Sequence, residues 1–258
     1  MTQMKQPIIE AKVDREIDER VMSGTPKTAK LMTFIALGCV MLGSVMGCTK
    51  SKVTMTSIKD TTLYEDVTGA LSNGAGQNML SGTTGAGRPV RVLVAFDVAG
   101  KVPAGSTLTA VELRLNMSGT NSVSAQTMGL HRVLADWGEG NTAAPGAGIG
   151  GPASKGGATW LHTFFPDQFW GNPGADFQAT SSASIAVEGI RAYQWGSTAQ
   201  MVADVQMWLD NPSSNHGWLL MIDDNATTAK KFDTRENASE ANRPRLTLTF
   251  NRIRSTKK

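Results

Sequence analysis

The chain has 258 residues, with 25 Lys or Arg against 22 Asp or Glu. Its first 47 residues hold six of the basic and five of the acidic groups, leaving 19 against 17 in the remainder. So even a balance lacks the electrostatic footprint of a nucleic-acid-binding protein. Sparse charge and 27 glycines suit one all-β domain of about 200 residues, built of short strands and turns.

Residues 1–21 are charged and hold no apolar run. They read either as a disordered extension or as sequence upstream of a true start at Met22. Lys27 and Lys30 then precede a mostly apolar run from Leu31 to Met46, closed by small residues. A basic segment, an apolar segment and a cleavage point make a signal peptide over 22–47. Val45-Met46-Gly47-Cys48 resembles the bacterial lipobox, which implies lipidation of Cys48 and anchoring by several acyl chains. The alternatives are a membrane-spanning signal anchor and free secretion. The apolar run is short for a hydrocarbon core of about 30 Å. Thr49 and Lys50 do not resemble an inner-membrane retention signal, so the expected address is the outer membrane or cell surface. The only cysteines are Cys39 and Cys48, so the exported part has neither a disulfide nor a cysteine metal site.

Residues 48–59 read as a polar tether. Strand signals follow, spaced as in an all-β domain over 60–251. Val90, Val92, Val94 and Phe96 alternate with Arg91, Leu93, Ala95 and Asp97, the period of a strand. Val111, Leu113, Leu115 and Met117 alternate with Glu112, Arg114 and Asn116. Shorter strands are expected around Met128–Arg132, Ile185–Val187, Trp218–Ile222 and Leu246–Phe250. Met201, Val205, Trp208 and Leu209 instead keep helical spacing, with Ser197 or Thr198 as cap and Asn211-Pro212 as stop. That helix is expected to lie over an edge or open end of the strands. Gly138 to Gly157 reads as a long surface loop. Its GxGxxG spacing lacks the strand and helix a dinucleotide site requires. Residues 252–258 are a basic tail.

Several segments, in order, resemble the DNRLRE-domain family: Arg91 to Phe96 (RVLVAF), Val102 to Ser106, Val111 to Leu115 (VELRL), Asp136 to Gly140 (DWGEG) and Ala203 to Asp210 (ADVQMWLD). Gly217 to Leu220, Phe232 to Glu236 (FDTRE) and Arg243 to Thr247 complete the set. The resemblance runs from about Asp60 to Phe250. It implies a jelly-roll β-sandwich of an exported protein, here with one short helix packed on it. Some relatives resemble carbohydrate-binding modules that hold acidic polysaccharides with basic side chains. No ligand residue transfers position by position.

Two binding features stand out. Trp160, Phe164, Phe165, Phe169, Trp170 and Phe177 crowd one irregular stretch. Most of these rings are expected to pack, since so many exposed aromatics would aggregate; Phe169 and Trp170 are the candidates for a sugar-stacking platform. Arg91, Arg114, His131 and Arg132 are candidates for a basic patch that grips carboxylates or sulfates, against a plain solvated face. Arg235 and Glu236, with Asp233 nearby, are expected to supply a buried Arg–carboxylate pair that fixes the last hairpin rather than a ligand contact. Asp223, Asp224 and Asn225 offer clustered oxygens as a calcium site, against the reading of a polar turn. The three histidines lack zinc spacing. No nucleophile elbow or HExxH is present. The expectation is a non-catalytic, lipid-anchored polysaccharide-binding protein. The alternatives are a structural or adhesive surface protein and a polysaccharide lyase or hydrolase.

Overall fold

The structure, a computed structural model, describes residues 48–222 and 228–253. The signal-peptide reading and the calcium reading at Asp223, Asp224 and Asn225 fall outside these residues. Among those described, no helix is long and apolar enough to cross a membrane.

In chain order, the first strands are β1 (Cys48–Thr56), β2 (Lys59–Tyr64), β3 (Leu71–Ser72) and β4 (Asn78–Thr83). Next come β5 (Pro89–Ala95), β6 (Thr107–Thr120) and β7 (Gln126–Arg132). A long excursion follows, with only the short strands β8 (Gly151–Pro152), β9 (His162–Phe164) and β10 (Gln168–Phe169). The chain returns through β11 (Ala183–Val187), β12 (Ala192–Trp195), α1 (Ala199–Asp210), β13 (Trp218–Ile222), β14 (Lys230–Asp233) and β15 (Arg245–Ile253).

The architecture is all-β, an antiparallel sheet curled into a jelly-roll-like sandwich. One layer carries β1, β15, β6 and β12, and the other carries β2, β5, β13, β7 and β11. β14 and β4 connect them. β4 pairs with β14 over Asn78–Ser81, then with β5 over Gly82 and Thr83. The corner sits at Gly82, whose φ of 112° only glycine adopts readily. A Cβ there would also meet the Thr228 carbonyl at 2.9 Å.

Between the layers lies the main core. Val92, Val94, Leu113, Leu115, Trp195, Trp218, Leu248 and Phe250 all face into it. The expected helix forms one residue or two beyond its apolar stripe at each end. Thr198 caps it by accepting from Met201 N–H, and Met201, Val205, Trp208 and Leu209 are buried in the core. Gln206 accepts from Leu108 N–H and donates to Ser106 C=O. The helix therefore closes the open end of the sandwich where β6 begins.

Residues 48–59 are not a tether. Cys48–Thr56 is β1, and it pairs with β15 along its whole length, Cys48 opposite Ile253 and Thr56 opposite Arg245. Val53 and Met55 turn toward the core between Lys52, Thr54 and Thr56. This period-two pattern outweighs the polar composition of the segment. At the other end, β15 takes Arg252 and Ile253 out of the expected tail.

A second core lies outside the sandwich. Leu63, Leu93, Ala95 and Leu219 project from the outer face of β2, β5 and β13. The excursion covers them with Val133, Trp137, Ala158, Trp160, Trp170 and Ala175. Trp137 donates its indole N–H to His216 C=O (2.8 Å) and Trp170 to Thr159 C=O (2.9 Å). Each ring is thus buried with its polar atom satisfied. β3 pairs with β8, and Tyr64 donates its hydroxyl to Ala147 C=O at 2.6 Å, which ties down the glycine-rich loop.

Candidate functional site

The excursion leaves part of the second layer uncovered. On the outer face of β7 and β11 a furrow of about 560 Å³ opens, floored by Gly129, Thr127 and Ser184. His131, Phe177 and Ser181 form its walls. Gly129 opposes Ser184 on β11 and Met221 on β13. Its missing side chain makes room for a ring: a Cβ there would lie 2.6 Å from His131 Nε2. The imidazole rests over Gly129, with its edge against Phe177 (centroids 5.4 Å apart). His131 Nδ1 is 3.0 Å from Gln178 C=O. A carbonyl can only accept, so Nδ1 carries the proton and the Nε2 edge is the polar group turned to the floor. Beyond Phe177 the furrow adjoins a recess of about 380 Å³ lined by Arg91, Pro173, Asp176 and Ala179.

The four residues expected to make a basic patch do not come together. Arg91 stands on the outer face of β5 and is roofed by the excursion. Its guanidinium donates to Gly174 C=O at 2.7 Å and lies over the rings of Trp160 (4.8 Å) and Phe177 (5.4 Å). His131 shares Phe177 with it. Arg114 lies in the other layer, where it donates to Ala241 C=O at 3.2 Å. Arg132 follows His131 and therefore points to the opposite side of β7. There it pairs at 3.3 Å with Asp204 of α1, a carboxylate only 1% exposed. Arg114 and Arg132 are thus separated from the furrow, because strand alternation and layer membership override closeness in sequence.

The aromatic pair also divides. Phe169 is 63% exposed and leans on His162, with ring centroids 4.3 Å apart. Trp170 is only 6% exposed, so it belongs to the second core and cannot serve as an open platform. Phe177, which sequence reasoning left among the packed rings, is the aromatic at the furrow. A glycine inside a strand marks close approach of other groups, so Gly129 was the available signal for it.

A separate constellation joins distant parts of the chain. Asp60 of β2, Glu139 at the start of the excursion and Glu236 after β14 each bring a carboxylate oxygen within 4.8 Å of the others. Arg235 donates to both oxygens of Glu139, at 2.7 and 2.6 Å, and pairs with Glu236 at 2.9 Å. Arg235 thus pairs with carboxylates there, Glu139 and Glu236 rather than Asp233, and its own side chain is partly exposed. Asp60 is wholly buried. Burial, reinforced by Glu236 and Glu139, pushes its carboxyl up to about 7 against hydrogen bonds from Ser57 and Arg235 N–H. Burial likewise raises Glu236. His162 is shifted the other way, below its ordinary value, because burial disfavours the charged ring.

No protein-family model matches the chain, and no curated protein matches it.

Proposed function

We propose that this is an exported, lipid-anchored, non-catalytic protein of the DNRLRE type that binds polysaccharide in the furrow over β7 and β11. The observation that carries the reading is the furrow itself. Its lining combines hydroxyls (Thr127, Ser181, Ser184), the Gln126 amide, the His131 imidazole and the ring of Phe177. Pyranose rings present hydroxyls at their rims and C–H bonds on their faces, and this lining offers partners for both. Arg91 in the adjoining recess supplies one cation for a carboxylated or sulfated unit. The order of the family-like motifs supports the family reading, and Val45-Met46-Gly47-Cys48 supports the anchor.

A glycan array at low and high salt tests the ligand. Binding that survives salt points to Phe177 and the hydroxyls. Binding to acidic glycans that salt abolishes points to Arg91. Failure of the folded protein to bind any glycan overturns the reading in favour of a structural surface protein.

A further inference from the structure

We propose that Asp60, Glu139 and Glu236 together hold a divalent cation of the calcium class. The three oxygens lie within 4.8 Å of one another, a separation one ion can span at coordination distances of about 2.3–2.6 Å. The independent observation is a set of carboxylate oxygens left over once the local hydrogen bonds are assigned. Asp60 Oδ2 accepts from Ser57 Oγ (2.8 Å) and Arg235 N–H (3.0 Å). Asp60 Oδ1, on a side chain with no exposed surface, has no hydrogen-bond partner. Glu236 Oε2 is buried in the same condition, while its Oε1 faces Arg235. Glu139 Oε2 accepts one bond from Arg235 and keeps a lone pair. Native proteins rarely leave buried acceptors unmatched.

Charge points the same way. Three carboxylates face one guanidinium, and a divalent cation neutralises the remainder. The ligands are all hard oxygens with no imidazole or thiolate among them, which favours calcium over zinc. Calcium accepts six to eight oxygens in irregular geometry, so backbone carbonyls and water complete its shell; magnesium demands a strict octahedron. The ion would clasp β2, the root of the excursion and the turn after β14. It would thereby fasten the cover of the second layer to the sandwich, whether or not the furrow binds glycan.

The test is calorimetric titration and thermal melting of the chelator-treated protein with calcium chloride alone, and with magnesium chloride for comparison. We expect one calcium per chain and a Tm raised by roughly 5 to 10 °C at about a hundredfold excess over Kd. Magnesium should do less. Asp60→Asn should abolish the response, and Glu236→Gln should weaken affinity at least about tenfold. If Asp60→Asn does not fold, Glu236→Gln decides, because that side chain is partly exposed. No heat and no Tm change in the unaltered protein at about 10 mM calcium would overturn the proposal. So would a response that Glu236→Gln leaves intact, or one that disappears with Asp223→Asn instead.

Discussion

The outer face of the layer formed by β1, β15, β6 and β12 is wet, and that of the layer formed by β2, β5, β13, β7 and β11 is largely dry. On the wet face Thr54 and Thr247 bond across strands, and Arg114 reaches Ala241 C=O. The side chains there are short hydroxyls and charges that water satisfies. On the dry face Leu63, Leu93 and Leu219 meet Trp137 and Trp160. An excursion of several dozen residues has become a third layer there. The sandwich thus spends one face on solubility and the other on a scaffold for loops. Loops held by a rigid sheet are where binding usually resides, and the furrow lies where this third layer stops.

The largest test of the contrast is stability. Trp137→Ala should lower unfolding free energy by about 3 to 5 kcal/mol, because it empties the second core. Urea denaturation measures this, and a loss below about 1 kcal/mol would mean the excursion is only draped on the sheet. Next comes binding: Phe177→Ala should weaken the glycan by roughly tenfold, or about 1.4 kcal/mol. An unchanged Kd would move the ligand off the furrow. Acid should separate the faces more gently. His162 has a folded pKa below its ordinary value of 6.5, so the unfolded chain binds more protons as pH falls through that range. Stability from this group is present above pH 6.5 and is lost as pH falls toward the folded value. Once corrected for the intrinsic exchange rate, amide protection in β9 and β10 should fall as pH drops below 6.5 before protection in β15 does; equal losses would break the contrast. The smallest expected effect is Arg114→Ala, within about 0.5 kcal/mol in stability and without effect on glycan binding.

Much of the sandwich was legible because its strands alternate. β6 shows it best: Glu112, Arg114 and Asn116 are half-buried between the fully buried Val111, Leu113, Leu115 and Met117. α1 was equally plain, since its stripe, its Thr198 cap and its Pro212 stop agree. The third layer was harder to see, yet it left traces. Trp218 to Ile222 is apolar at every position, which a strand wet on one face would not be. Leu93 and Ala95 repeat the signal on β5. What could not be read was which basic residues share a face. His131 and Arg132 are neighbours in sequence and opposites in space, and Arg91 and Arg114 belong to different layers. Nor did spacing join Asp60, Glu139 and Glu236, because the contact depends on where the excursion is rooted.

Because Cys48 itself pairs with Ile253 within β1, an acyl group on that residue would leave no leash. The sandwich would stand directly on the lipid, and its first strand spans only about 30 Å at nine residues. Such a protein samples a shell one domain deep. Its ligand would have to come down to the membrane, which suits a polymer already lying against the cell better than one carried past in the medium.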